Sequence, residues 1–143
     1  MKIGIDIDGV LCDHVPSVCR WASEKYGIDA RPEMVTEWDV QIKGHSFGDL
    51  IFETYSDSDF VMALPPYPGA VNGVRQLKRV REVELVIVTS RRYAQPTIWW
   101  VEEHFGRMPV YLAEDKTTVG LDGLIDDHGP TIFGICKKGG TGI

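Results

Sequence analysis

The sequence is short of cysteine, of basic residues and of long apolar runs. Its three cysteines, Cys12, Cys19 and Cys136, cannot all pair and show no C-x-x-C spacing, so no disulfide framework is expected and a reducing compartment suits them. With 15 Lys and Arg against 21 Asp and Glu, the net charge is −6, which argues against a protein that coats nucleic acid. A small anionic substrate is not excluded, because a metal ion and one or two cations can dominate a pocket.

No apolar run is long enough to suggest a membrane span or a secretory signal. The stretch before Asp6 is far shorter than either segment requires. Internal repeats and low-complexity segments are missing as well. The sequence therefore predicts a soluble cytoplasmic protein. Its 143 residues, 43% of them hydrophobic and 25% charged, are near globular averages and suffice for one domain with its own core.

Short apolar runs alternate with amphipathic segments along most of the chain. This alternation predicts an α/β fold, a doubly wound parallel sheet with helices on both faces. We expect strands at 2–6, 83–88, 109–112, 121–125 and 131–136, and helices at 16–26, 71–77 and 95–105. The Lys/Gly-rich tail after the last strand is expected to be mobile. In such sheets ligands bind at the carboxyl ends of the strands.

The segment 14–67 differs in character from the rest of the chain. It holds several aromatic residues among acidic ones, shows helical spacing from Phe47 onward and ends in a stiff proline-rich connector. We interpret it as a small helical cap. The main core is then formed by 1–13 and 68–143.

Asp6 and Asp8 form the first of three groups with chemical potential. Residues two apart on an extended chain point to the same side, so both carboxylates can face one site, and Gly9 lets the backbone turn sharply next to a ligand. Such a pair suits phosphoryl transfer, with Asp6 as the nucleophile that forms an aspartyl-phosphate and Asp8 as proton donor and acceptor. The alternative is that both are ordinary loop or helix-cap residues.

Thr89 and Ser90 form the second group, at the end of a buried strand. Hydroxyls and the free N–H groups of the following turn suit phosphate oxygens. The alternative is that both residues cap the next helix, a common role of Ser and Thr. Arg91 and Arg92 follow and could add positive charge at the mouth of the site, although exposed arginines are usually solvated surface.

Lys116 and the pair Asp126-Asp127 form the third group. Mg²⁺ takes carboxylate oxygens, waters and substrate phosphate as ligands. Asp126 could complete a magnesium site with Asp6 and the backbone carbonyl of Asp8. Asp127 would hold metal-bound water or orient its neighbours. Lys116 would neutralise charge shared by nucleophile and phosphate, although an isolated lysine is more often a surface residue.

At these positions the sequence resembles the haloacid dehalogenase superfamily of phosphatases. The four motifs that carry the resemblance are Asp6-Ile7-Asp8-Gly9-Val10, Thr89-Ser90, Lys116 and Asp126-Asp127. A closer resemblance is to the 5′(3′)-deoxyribonucleotidases. It is carried by Asp6-Ile7-Asp8-Gly9-Val10-Leu11-Cys12-Asp13, Leu64-Pro65-Pro66-Tyr67-Pro68-Gly69-Ala70, Asp115-Lys116-Thr117 and Leu124-Ile125-Asp126-Asp127.

The resemblance implies a Mg²⁺-dependent phosphatase that acts on nucleoside monophosphates. The roles that it implies are Asp6 as nucleophile, Asp8 as acid/base, Lys116 as charge stabiliser, Thr89 and Ser90 on phosphate, and Asp6, the Asp8 carbonyl and Asp126 on the metal. Two features depart from the family. The chain ends soon after Asp127, where the family usually continues through a further strand and helix, and the family varies where this chain has Ser90-Arg91-Arg92.

Three hypotheses about function stay open at this point. The first is hydrolysis of nucleoside monophosphates, the second is the same chemistry on a sugar phosphate or a polynucleotide end, and the third is an inactive member that binds a ligand or partner. The expected partner is a small-molecule phosphate monoester, with a homodimer left open. Trp38 or Phe47 could stack on a nucleobase or simply pack the cap. His14 and His128 flank the site without a metal partner and are assigned no role.

Overall fold

Strands and helices alternate along the chain as the hydrophobic pattern predicts, with an exception near the end. The structure is a computed structural model that describes residues 1–143. The strands are β1 (Lys2–Ile5), β2 (Gln41–Ile42), β3 (His45–Ser46), β4 (Glu84–Thr89), β5 (Val110–Leu112), β6 (Gly123–Ile125) and β7 (Thr141–Gly142). The helices are α1 (His14–Tyr26), α2 (Phe47–Tyr55), α3 (Ser58–Ala63), α4 (Ala70–Leu77), α5 (Ala94–Phe105) and α6 (Gly129–Lys137), with short 3₁₀ helices at Pro32–Met34 and Lys116–Thr118. None of the six α-helices has both the length and the apolar character needed to cross a membrane.

Five of the strands form one parallel sheet in the order β5-β4-β1-β6-β7. Ile5 of β1 lies opposite Ile87 of β4 and Ile125 of β6, so these three strands end at the same edge. Strands β4 and β5 lie on one side of β1, and the later strands β6 and β7 lie on the other, so the strand order changes direction at β1. The carboxyl end of β1 is therefore the point at which doubly wound sheets bind ligands. The predicted α/β fold with a parallel sheet is confirmed.

Strand β4 is buried on both faces, which explains its nearly unbroken apolar run. Leu85 and Ile87 belong to the large apolar cluster that includes Trp100 of α5. Val86 and Val88 belong to a smaller cluster on the other face of the sheet, because successive side chains of a strand point to opposite faces. The residues that follow β4 are thus delivered to the sheet edge by a firmly packed strand.

Residues 14–67 contain α1, α2, α3 and the β2–β3 hairpin. Helix α2 packs against α1 and α3, and α3 packs against α5 of the core. Phe47, Leu50 and Ile51 of α2 are almost completely buried, as the helical apolar stripe predicts. Phe47 therefore packs the interior of this segment and offers no face to a ligand. We keep the interpretation of 14–67 as a cap.

The strand predicted at 131–136 is wrong, because these residues lie in α6. Pro130 occupies the first turn of the helix, where its missing N–H removes no hydrogen bond. Ile132 and Ile135, three residues apart, both pack against the smaller apolar cluster. A short apolar run does not by itself distinguish a strand from a helix, and here the helical spacing decides.

The tail that was expected to be mobile forms β7, the edge strand beside β6. The N–H of Ile143 donates to the carbonyl of Leu124 at 2.9 Å, and the N–H of Asp126 donates to the carbonyl of Ile143 at 3.2 Å. Gly142 permits this close packing, because a Cβ there would lie 2.3 Å from Cγ2 of Ile132. After Asp127 the chain therefore passes through a helix and then a strand, where a strand followed by a mobile tail was expected.

Candidate active site

Asp6 follows β1 directly and lies where the sheet is expected to bind its ligand. Its N–H donates to the carbonyl of Ile125 at 2.9 Å, which ties it to the end of β6. The side chain is buried. Its Oδ1 accepts the N–H of Ile7 at 2.8 Å, and its Oδ2 lies 2.7 Å from Nζ of Lys116. Two donors therefore hold this carboxylate in one orientation.

Lys116 joins the ends of β1 and β6. It lies in a 3₁₀ helix that is capped by Asp115, whose carboxylate accepts the N–H of Thr117 at 3.0 Å. The buried Nζ of Lys116 lies 2.7 Å from Oδ2 of Asp126 as well as from Asp6. The other oxygen of Asp126 accepts the N–H of His128 at 2.8 Å. The third and fourth motifs are thus brought onto the first.

Three carboxylates of this site converge closely enough to hold a cation. Asp6, Asp126 and Asp127 each place one ligand atom within 4.8 Å of the others. Oxygen ligands of this kind are the ones that hard divalent cations take. The charge balance also fits. The site contains more carboxylates than cationic side chains. The carboxylates are those of Asp6, Asp8, Asp126 and Asp127, and the cationic side chains that pair with this group are Lys116 and Arg91.

The pKa values of two of these carboxyl groups are raised, by burial first and by neighbouring carboxylates second. Burial raises the pKa of Asp6 to about 7, with Lys116 acting against the rise and Asp8 and Asp126 adding to it. Burial, and then the charge of Asp126, also raises the pKa of Asp127. At neutral pH the Asp6 carboxyl group is therefore only partly ionised in the protein by itself. A bound cation would favour the ionised form, which is the form that a nucleophile needs.

Gly9 is required by the close approach of Asp127. Its φ of +77° lies in the left-handed region, a backbone conformation that residues with a side chain rarely adopt. A Cβ at this position would lie 1.9 Å from Oδ2 of Asp127, well inside contact distance. The first and fourth motifs therefore touch at a point where only glycine fits.

Asp8 pairs with Arg91 and not with Lys116. Nε of Arg91 donates to Oδ2 of Asp8 at 2.9 Å, and Nη2 donates to Oδ1 at 2.5 Å. Burial alone would raise the pKa of Asp8, but the guanidinium outweighs burial and holds the pKa below its usual range. Asp8 is therefore held ionised, and its side chain is not one of the three convergent carboxylates.

For Arg91 the sequence suggests at most positive charge at the mouth of the site, and its pairing with Asp8 is not predicted. The expectation that it belongs to the solvated surface is wrong, because it is only 2% exposed. Its neighbour Arg92 is exposed, as expected. The available signal was the charge count, since aspartates crowded at strand ends need more positive charge than Lys116 supplies.

Thr89 and Ser90 take different positions at the end of β4. Thr89 is buried, and its hydroxyl accepts the N–H of Arg91 at 3.3 Å. Ser90 is exposed and lines the same cavity as Asp6. In this conformation the hydroxyl of Ser90 is open to a ligand and that of Thr89 is not. A phosphate-binding role for either stays a prediction.

A cavity of about 610 Å³ joins the sheet edge to the segment 14–67, a size typical of small-molecule sites. Its lining includes Asp6, Asp8, Ser90, Lys116, Asp127 and His128 from the core, and His14, Trp38, Phe52 and Tyr55 from the other segment. Trp38 is half exposed and supplies an aromatic face. Its ring centroid lies 6.2 Å from that of His14. One side of the cavity therefore carries aspartates and Lys116, and another side carries aromatic rings.

The chain is similar to known nucleotidases over most of its length. A family model described as 5′ nucleotidase, deoxy (pyrimidine), cytosolic type C protein matches residues 1–133. The mitochondrial 5′(3′)-deoxyribonucleotidase of Mus musculus is 28% identical, over 94% of this chain and 67% of the relative. The cytosolic-type enzyme of Homo sapiens is 26% identical, over 89% of this chain and 70% of the relative. A putative 5′(3′)-deoxyribonucleotidase of Bordetella pertussis is 30% identical, over 96% of this chain and 78% of the relative.

Proposed function

The chain belongs to the deoxy-5′-nucleotidase family of the haloacid dehalogenase superfamily, and from this we propose that it hydrolyses nucleoside monophosphates, with deoxynucleotides as preferred substrates. Its membership makes it a phosphoric monoester hydrolase. One observation carries the proposal for this chain. Asp6 and Lys116 line a cavity that is large enough for a nucleotide, and Lys116 also pairs with Asp126.

Asp6 is the proposed nucleophile. Its carboxylate oxygen attacks phosphorus, the bond from phosphorus to the nucleoside oxygen breaks, and that oxygen leaves with a proton from Asp8. Lys116, 2.7 Å from Asp6, balances the charge that nucleophile and phosphate share. The hydroxyl of Ser90, which lines the cavity, is placed to donate to a phosphate oxygen.

Asp8 acts again when the aspartyl-phosphate is hydrolysed. It accepts a proton from the attacking water, the acyl–phosphate bond breaks, and the Asp6 carboxylate and free phosphate result. The ionised state in which Arg91 holds Asp8 is the state that this second step requires. The acid needed in the first step is the same carboxyl group in its protonated form, and the proton that it accepts from water in the second step is the one that it gives to the leaving oxygen in the next turnover.

The proposed cofactor is Mg²⁺, held by Asp6, Asp126 and the backbone carbonyl of Asp8. When bound, such an ion polarises the phosphoryl group and offsets its negative charge. Asp127, in contact distance of the same cluster, would orient the bound water or the neighbouring carboxylates. The cytoplasm stays the proposed location, and among the relatives one is described as cytosolic and one as mitochondrial.

Trp38 is the proposed face for the nucleobase, since it is half exposed and lines the cavity. Base–aromatic stacking contributes about 1–3 kcal/mol, so we expect Trp38→Ala to raise KM for dTMP about tenfold or more with a smaller change in kcat. KM for ribose 5-phosphate, which carries no base, should change little. Steady-state kinetics on both esters measure this.

Trp99→Ala is the matched control for this variant. Trp99 is also a half-exposed tryptophan, but it lies on α5 and does not line the cavity. The control should leave both KM values near those of the wild type. Equal increases for dTMP and ribose 5-phosphate in Trp38→Ala would contradict a stacking role.

A substrate panel tests the proposed function directly. Purified protein with Mg²⁺ should release phosphate from dTMP and dUMP with kcat/KM at least about tenfold above ribose 5-phosphate and a 3′-phosphorylated oligonucleotide. A higher kcat/KM for the sugar phosphate or the oligonucleotide end would show that this compound, and not a nucleoside monophosphate, represents the substrate class. Release of no phosphate from any of the four would refute the proposal and favour a binding protein.

A further inference from the structure

Arg91 is a buried arginine beside a buried carboxylate, and none of the four motifs accounts for it. It stands two residues after the end of β4 and is 2% exposed. Two of its nitrogens donate to the two oxygens of Asp8, at 2.9 and 2.5 Å. Bidentate contacts of this kind restrict a carboxylate to one plane and one direction. The rotamer of Asp8 is therefore decided by Arg91.

Two aromatic rings in turn hold the guanidinium. Its carbon lies 4.6 Å from the ring centroid of Tyr55 on α2 and 5.6 Å from that of Trp100 on α5. Trp100 is fully buried, and its Nε1 donates to the carbonyl of Leu64 at 2.8 Å. Arg91 is thus packed between a helix of the segment 14–67 and a helix of the core. Arg91 also lines the cavity, and the two rings fix where its guanidinium lies there.

The other nearby charged groups do not duplicate this contact. Lys116 pairs with Asp6 and Asp126 and not with Asp8. His14 comes no closer to Asp8 than 3.9 Å, too far for a hydrogen bond. Without Arg91, the carboxylate of Asp8 would lose both of its donors. Lys116 therefore pairs with Asp6 and Asp126, and both hydrogen bonds that Asp8 accepts come from Arg91.

We propose that Arg91 is a positioning residue, which holds the Asp8 carboxyl group in the direction of proton transfer and is itself held by Tyr55 and Trp100. The inference rests on the proposed function, because it assigns Asp8 the acid/base role. It adds a contact between the segment 14–67 and the acid/base, through the ring of Tyr55. Both hydrogen bonds that the guanidinium donates go to Asp8, so its effect on the reaction is assigned to Asp8.

Arg91→Met is the first test, since methionine keeps much of the volume and removes the donors. We expect kcat on dTMP to fall about 100-fold, within the range for loss of acid–base catalysis, and KM to change less than about threefold. The first-turnover burst of p-nitrophenol from p-nitrophenyl phosphate should slow less than about tenfold, because that leaving group needs little protonation. A rise in KM with unchanged kcat would show instead that Arg91 binds substrate.

A double-mutant cycle separates positioning from an independent role. If Arg91 acts through Asp8, the Asp8→Asn/Arg91→Met variant should lose no more than about threefold beyond Asp8→Asn alone. If the losses multiply, Arg91 has a role of its own and the inference is wrong. Removing both partners also avoids leaving one buried charge unpaired, so the double variant is expected to fold.

Arg91→Lys and Arg92→Met complete the set. Lysine keeps the charge but not the bidentate fork, so kcat should recover in part, by about tenfold over Arg91→Met. If circular dichroism shows that Arg91→Met is unfolded, the same cycle is run with Arg91→Lys. Arg92→Met is the matched control, since Arg92 is exposed and lies over Phe52 at 4.6 Å, and its kcat should stay near that of the wild type.

The failure of this inference and the failure of the proposed function look different. An inactive wild-type protein, or an Asp6→Asn variant as active as wild type, would refute the proposed function. Full activity of Arg91→Met in an enzyme that loses activity in Asp6→Asn would refute only the role of Arg91.

Discussion

Replacing Asp6 with asparagine should lower kcat on dTMP at least about 10⁴-fold, the scale of loss seen when an enzyme loses its nucleophile. An amide has the size and shape of the carboxylate but does not attack phosphorus. Lys116 keeps Asp126 as a partner, and burial already raises the pKa of Asp6 to about 7, so removal of this charge is not expected to unfold the protein. Steady-state phosphate release and a thermal melt measure both effects.

When turnover of an aryl phosphate with a radiolabelled phosphate group is quenched with acid, labelled phosphate should stay covalently bound to the wild-type protein. The label should be absent from Asp6→Asn. Asp49→Asn is the matched control, because Asp49 is exposed in the first turn of α2 and far in sequence from the motifs. More than about a tenth of wild-type activity in Asp6→Asn would show that another group attacks phosphorus.

Replacing Asp126 with alanine should weaken Mg²⁺ binding. Substitutions of residues that only orient metal ligands cost about 10–100-fold in affinity, so loss of a direct ligand should raise the half-saturating Mg²⁺ concentration at least about 100-fold. Asp127→Asn should fall within the smaller range, since its proposed role is indirect. Calorimetric titration of Mg²⁺ into metal-free protein measures affinity without relying on activity. Treatment with EDTA should abolish activity of the wild type, and added Mg²⁺ should restore it.

Asp126→Asn is a second variant that tests whether weaker Mg²⁺ binding in Asp126→Ala comes from disturbed structure. An asparagine oxygen can still accept the N–H of His128, which Oδ1 of Asp126 accepts at 2.8 Å. Both variants should show the same direction of change in Mg²⁺ affinity, and Asp49→Asn should show none. An affinity equal to that of the wild type in Asp126→Asn and Asp126→Ala would mean that other groups hold the metal.

The acidic site could be read from the sequence because its parts are local features at strand ends. β1, β4 and β6 each show an apolar run followed at once by polar residues, and parallel strands bring such ends to one edge. The convergence of Asp6 and Asp126 follows from that register, whereas Lys116 reaches them from the 3₁₀ helix that follows β5. Gly9 likewise marked the sharp turn, although its contact with Asp127 became visible only in three dimensions.

The choice between Trp38 and Phe47 could not be made from the sequence. Both are aromatic residues in an acidic, partly helical segment. Phe47 begins α2 and is buried in the large apolar cluster, whereas Trp38 lies outside any helix and lines the cavity. Which ring is available to a ligand depends on how three helices pack, and no local pattern records that.

The sequence by itself determined the parallel α/β fold, the order of the four motifs and the family, because hydrophobic periodicity and motif spacing act over a few neighbouring residues. Only the tertiary structure decided that 131–136 is helical, that the tail pairs with β6 and that Arg91 is buried against Asp8. Each of these depends on contacts between residues far apart in the chain. Arg91 is the clearest case, since its burial requires Tyr55 from one helix and Trp100 from another to close around a charge that the local sequence would leave in water.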